Sequence, residues 1–177
     1  MSKVYHRSQS DEWETPPELF ALLDREYHFT LDVCATPENA KCERYFTVDD
    51  NGLLQSWAGE ICWMNPPYSN ISNFMFYAHE QAYRNGATVV CLVPARVDTR
   101  WWWNYCTPAE SIRFLKGRLK FVGADSSAPF PSAIVTLDKD STPLTKTVVR
   151  NPHRTIWWNW KKEYQILEAQ HDITNGN

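Results

Sequence analysis

The chain has 177 residues, 43% of them hydrophobic and 22% charged. That length suits one domain with a buried core, and no apolar run approaches the roughly 18 residues of a membrane-spanning helix. A formal net charge of -3 is too small and of the wrong sign for a global field that gathers nucleic acid. The charge is uneven, however. Residues 1–60 hold 12 acids and 5 bases, and residues 61–177 hold 9 acids and 13 bases. Residues 141–162 contain five bases and no acid, which allows a local basic face. The N-terminus lacks the apolar core of a secretory signal. The five cysteines form no CxxC pair, so neither a disulfide framework nor a metal site is expected and a cytoplasmic setting is. Nine Trp, eight Tyr and eight Phe argue against disorder.

Residues 1–12 read as a flexible start, and residues 13–177 as one domain without a separate target-recognition domain. Thr15 reads as the N-cap of a helix that runs to Tyr27, with Pro16 and Pro17 at its first positions and Glu18 completing a capping box. Residues 29–35 read as a strand, 38–43 as a short helix and 45–48 as a second strand. Asp49, Asp50, Asn51 and Gly52 are turn chemistry. Residues 60–64 are an apolar strand, stopped by Asn65-Pro66-Pro67-Tyr68. A helix over 70–84 ends at Asn85-Gly86. Residues 87–93 are β-branched almost throughout, the pattern of a strand buried on both faces. A helix is expected over 98–106, and strands over 111–115, 119–122 and 132–137. Residues 138–156 look irregular, and 157–169 suit a closing helix. Strands alternating with helices predict an α/β fold with a mostly parallel twisted sheet and helices on both faces. In such sheets ligands gather beyond the carboxyl ends of the strands, where residues 32–36, 65–68 and 94–99 fall.

The segment from Asn65 to Tyr68 carries the chemistry. Neither Pro66 nor Pro67 has an N–H, and both fix φ near -65°. The segment therefore presents an amide side chain, a stiff carbonyl and an aromatic ring at one corner. A planar group bearing NH2 fits it: the Asn65 oxygen accepts one amino hydrogen, the Pro66 carbonyl the other, and Tyr68 stacks on the ring. The plain alternative is a proline-rich turn with a packed tyrosine. No histidine has ligand spacing or a nucleophile beside it, and no Pro-Cys nucleophile occurs.

Asn-Pro-Pro-Tyr is a form of the [DNS]-PP-[YFW] motif of S-adenosylmethionine-dependent amino-methyltransferases. Together with Trp13-Glu14-Thr15-Pro16-Pro17, Leu31-Asp32-Val33-Cys34-Ala35, Asp50-Asn51-Gly52-Leu53, Leu92–Thr99 and the Trp101–Trp103 run, it makes the chain resemble the phage-type DNA N6-adenine methyltransferases (Dam-like) over residues 12–138. The resemblance implies a Rossmann-like methyltransferase fold, S-adenosylmethionine as cofactor and double-stranded DNA as partner. It implies that Trp13, Thr15 and Pro16 line the methionine end of the cofactor, that Asp32, Cys34 and Ala35 form its first binding motif, that Asp50 reads its adenosine end, and that Asn65 contacts it as well. Residues 29–42 contain no glycine, a departure from the general G-x-G pattern. Asn65, Pro66, Pro67 and Tyr68 are implied as the catalytic element acting on a flipped-out adenine. Phe121 or Phe130 is the expected second aromatic wall. Arg96, Arg100, Arg118 and Lys120 are candidate phosphate contacts, and residues 145–162 a second DNA surface. Trp101, Trp102 and Trp103 cannot all face one side of a helix, so at least one is expected to be exposed as a DNA wedge or packing plate, with Trp101 as the candidate, and the other two to lie in the core. An RNA base or a protein glutamine as substrate, or a catalytically inactive DNA-binding protein of the same fold, are the other readings.

Overall fold

A computed structural model describes residues 13–141 and 154–175; the expectations for residues 1–12 and for 142–153 lie outside the described residues. The sheet grows around one strand. Strand β3 (Thr88–Pro94) is apolar at every position from Val89 to Val93, so both of its faces must be covered. Val89, Cys91 and Val93 join a core with Met75 and Ala78 of helix α2 (Ile71–Asn85), while Val90 and Leu92 join a second core with Leu19 and Leu23 of helix α1 (Pro17–Tyr27). Each fully buried Val, Leu or Met side chain among them contributes about 1.5–3 kcal/mol by leaving water. Helix α3 (Trp160–Asn175) adds Trp160 and Leu167 to the second core. The helices thus lie on both faces, as the pattern predicts.

Strands β1 (Leu31–Asp32), β2 (Ile61–Met64), β4 (Ser111–Leu115), β5 (Ser132–Leu137) and β6 (Arg154–Trp158) complete a six-stranded sheet in the order β1-β2-β3-β5-β4-β6. The pairs β1–β2, β2–β3 and β4–β6 are parallel; β5 runs antiparallel to both β3 and β4. The reversal has a local cause. Residues 116–131, between β4 and β5, form no helix, and without a crossover the chain can only come back the other way. The carboxyl ends of β1, β2, β3 and β4 share one edge of the sheet. Among the described residues no helix is long and apolar enough to cross a membrane.

Several local expectations are corrected. Thr15 does not cap α1: Pro16 holds the N-cap position and no side chain bonds there. The expected strand over 29–35 shrinks to two residues, and that over 45–48 to one bridge between Asp32 and Tyr45. The expected helix over 38–43 is absent, because the Asp32 carboxylate accepts the Lys41 backbone N–H at 3.0 Å and draws that segment into a loop. Residues 119–122 are not a strand in the sheet. Their backbone is bonded elsewhere, the Val122 N–H to the Glu14 carbonyl at 3.0 Å and the Leu119 carbonyl to the Ala128 N–H at 2.7 Å. The segment after β3 winds as a π-helix over Trp102–Cys106, and β6 takes residues expected to be irregular or to begin the last helix.

Candidate active site

Strand β2 ends at Met64 and the chain turns at once through Asn65, Pro66 and Pro67 into a 3-10 turn over Tyr68–Asn70, which leads into α2. Pro66 is buried, and Pro67 is extended at φ -60° and ψ 123°. The absence of two consecutive N–H groups ends the ladder here. The corner therefore sits at the carboxyl edge of the sheet for reasons local to its sequence.

The Asn65 side chain is held from one side only. Its Nδ2 donates to the Trp13 carbonyl and to the Thr15 hydroxyl oxygen, the latter at 3.1 Å. Its Oδ1 is buried and has no hydrogen-bond partner among the described residues. An amide has two donor hydrogens and two acceptor lone pairs. Here both hydrogens are spent inside the protein and the oxygen is left over. Rotating the amide by half a turn would set Oδ1 against the Trp13 carbonyl, lone pair against lone pair, so the orientation is fixed by chemistry.

Asn65 opens onto a cleft of about 730 Å3, within the roughly 300–1,000 Å3 of small-molecule sites. Val33, Cys34 and Ala35 after β1, Thr47 and Gly52 from the following turns, and Trp13 with Thr15 before α1 line it. Asp32, also on its wall, is 2% exposed. Its carboxylate accepts the backbone N–H groups of Cys34 at 3.2 Å and Lys41 at 3.0 Å, and so shapes the loop that forms the floor. Burial raises the Asp32 pKa, opposed by those two N–H groups. At Gly52 a β-carbon would lie 2.6 Å from the Val33 carbonyl oxygen, so only glycine lets the two backbone segments meet. The Gly52 carbonyl accepts the indole N–H of the fully buried Trp57 at 3.0 Å. At the mouth, the Lys41 ammonium pairs with Glu14 at 3.1 Å.

Aromatic rings gather beside Asn65. Trp13 lies nearly parallel to Tyr68, with centroids 6.4 Å apart and planes 23° from parallel. Phe130 meets Tyr68 edge-on at 5.5 Å and Trp13 edge-on at 5.7 Å. Phe121 packs on Trp13 at 5.0 Å but is only 2% exposed, a core residue behind the indole and not a wall of the cleft. Of the other positions singled out, Arg96, Arg100, Arg118 and Lys120 are exposed, the first two after β3 and the last two after β4. Trp101 is a correction: it is 8% exposed in the α2-side core, and Trp103 is the exposed indole of the run. Asp50 is exposed beside the lining residues Thr47, Asn51 and Gly52, and its carboxylate accepts the Thr47 N–H and hydroxyl, both at 2.8 Å. Those bonds hold the Asp50 pKa below its usual value. Of the expected second DNA surface over 145–162, residues 154–162 are described; Trp157 is exposed there, whereas Trp158 and Trp160 are buried. The sequence reading missed Glu14, Lys41 and Phe46. Nothing in a single sequence marks them: Lys41 and Phe46 reach the cleft on a loop tied to Asp32, and Glu14 meets Lys41 from the segment before α1.

The sequence family described as DNA N-6-adenine-methyltransferase (Dam) matches residues 2–167. The chain is 32% identical over 123 residues to the DNA N-6-adenine-methyltransferase of Haemophilus phage HP1 (strain HP1c1), covering 68% of this chain and 71% of the relative. It is 36% identical over 111 residues to the DNA N-6-adenine-methyltransferase of Escherichia phage T1, covering 62% of this chain and 46% of that protein.

Proposed function

This chain belongs to the DNA N-6-adenine-methyltransferase (Dam) family, and we propose that its cleft holds S-adenosylmethionine while the Asn65–Tyr68 corner presents the N6 amino group of a flipped-out adenine in duplex DNA. The observation that carries this reading is the Asn65 amide, whose hydrogens are tied down and whose Oδ1 is buried and unpartnered beside the cleft. A buried acceptor without a donor is unfavourable by about 1–3 kcal/mol, so the fold keeps it for something that brings a hydrogen. The residues fit the cofactor: the acidic Asp32 with Cys34, Ala35 and Gly52 lines the cleft, and the volume suits a nucleoside-sized ligand. Asp32, Cys34, Ala35 and Thr47 would hold it. When bound, it supplies an electrophilic methyl carbon on a sulfonium sulfur.

The protein's own part is orientation. The N6 lone pair of adenine is conjugated into the ring and is a poor nucleophile. The Asn65 Oδ1 accepts one amino hydrogen and the Pro66 carbonyl the other, which localises that lone pair toward the cleft. The amino nitrogen is itself the nucleophile, so no side-chain nucleophile is required. Extruding the base is unfavourable by a few kcal/mol, and stacking on Tyr68 returns about 1–3 kcal/mol. Trp13 and Phe130 supply the neighbouring walls. The exposed Arg96, Arg100, Arg118 and Lys120 contact phosphates along the same rim.

Purified protein, incubated with methyl-labelled S-adenosylmethionine and with duplex DNA, RNA or protein in parallel, places label on adenine N6 of DNA. Asn65→Ala lowers kcat by about 100- to 1,000-fold, the usual loss when one fixed transition-state hydrogen-bonding group is removed. Label on RNA or on glutamine instead, or none on DNA of any sequence, refutes the reading.

A further inference from the structure

The contacts of Asn65 assign Thr15 a role beyond its place on the wall of the cleft. We infer that Thr15 is a positioning residue: its hydroxyl oxygen and the Trp13 carbonyl together clamp both hydrogens of the Asn65 amide, so that Oδ1 alone faces the substrate. The inference rests on the proposed role of Asn65 and adds the group that sets its orientation.

Three observations support it. Thr15 is 1% exposed, and its hydroxyl oxygen lies 3.1 Å from Asn65 Nδ2. It does not cap α1, the duty its place in the sequence suggests. The segment that carries it is itself fixed. The Glu14 carbonyl accepts the Val122 N–H at 3.0 Å, the Glu14 carboxylate pairs with Lys41, and the Trp13 ring packs among Tyr68, Phe121 and Phe130. A clamp tied at each residue is preorganised, which is what a reacting geometry held to a fraction of an ångström requires. A carbonyl can only accept, so the Trp13 side of the clamp demands a donor. The Thr15 hydroxyl then receives the second amide hydrogen and stops the amide from rotating about its last torsion.

The test separates positioning from cofactor contact. Thr15→Val keeps the shape and removes the acceptor. It lowers kcat by about 100-fold, the scale of a small misplacement in an active site, a far larger change than in the KM for DNA or in the Kd for S-adenosylmethionine measured by calorimetry. Thr15→Ser restores the acceptor and recovers most of kcat. In an Asn65→Ala background, Thr15→Val causes no further loss, because there is no amide left to hold. Weaker S-adenosylmethionine binding by Thr15→Val with kcat unchanged, a Ser variant as impaired as Val, or losses that multiply in the double variant would each overturn the clamp. A readout independent of activity uses the unaltered protein. The Asn65 side-chain NH2 pair, identified by its disappearance in Asn65→Ala, exchanges slowly with solvent, whereas a pair that exchanges as fast as those of exposed asparagines overturns the clamp. If that pair is protected but no DNA is methylated, the proposed reaction fails and the clamp stands.

Discussion

Gly52→Ala tests the floor of the cleft by the smallest possible change. The added β-carbon would lie 2.6 Å from the Val33 carbonyl oxygen, well inside the roughly 3.5 Å of a comfortable nonbonded contact. Neither side yields easily. Val33 is fixed by its N–H to the Trp63 carbonyl at 3.1 Å, and Gly52 by the Trp57 indole at 3.0 Å. Relief therefore means parting two backbone segments, a form of overpacking that destabilises by about 1–3 kcal/mol. For a chain of this size each kcal/mol shifts Tm by roughly 2–4 °C, so the melting temperature falls by about 2–12 °C. Both segments line the cleft, so the Kd for S-adenosylmethionine rises in the same variant. Scanning calorimetry and isothermal titration read the two effects. A variant with unchanged Tm and unchanged affinity would show that the Gly52–Val33 approach does not exist in solution.

The tryptophan run separates core from surface: Trp101→Ala, emptying a buried site, destabilises by about 3–5 kcal/mol, while Trp103→Ala leaves chemical denaturation nearly unchanged, and equal effects would refute the placement. The buried His79 bears on pH. Burial lowers its pKa, against weaker opposite pulls from Glu80 and the Ser141 backbone. The unfolded chain takes up this proton near pH 6.5 and the folded chain only below that. The contribution of His79 to stability is therefore present above about pH 6.5 and is lost as the pH falls toward its lower folded value. Urea titrations between pH 5 and 8 show that slope, and His79→Phe reduces it; an unchanged slope in the variant would refute the assignment.

Much of this architecture was legible because the signals were local. The β-branched run of β3 announced burial on both faces, Asn85-Gly86 ended α2, and the double proline after β2 fixed both the end of a strand and the corner beyond it. What failed depended on distant partners. The reach of β1 was hidden because Asp32 spends its carboxylate on Lys41, nine residues on. Thr15 reads locally as a cap, and only the arrival of Asn65, fifty residues later in the chain, reassigns its hydroxyl. Three consecutive indoles carry no mark of which one meets water; at the start of the π-helix Trp101 and Trp102 turn into the core and Trp103 out. The reversal of β5 was half legible, since no helical pattern joins residues 115 and 132, but its place between β3 and β4 follows from packing alone.

That reversal also distributes labour around the sheet. A crossover would have returned the chain to the far edge before the next strand. The hairpin-like excursion of residues 116–131 instead stays on the rim where β1, β2 and β3 end, and it carries Arg118, Lys120 and Phe130 there. The sheet thereby carries one more loop on the rim where Asn65 sits. Under the proposed function, changes in the exposed tip of that loop retune the grip on DNA while the cores beneath keep their packing.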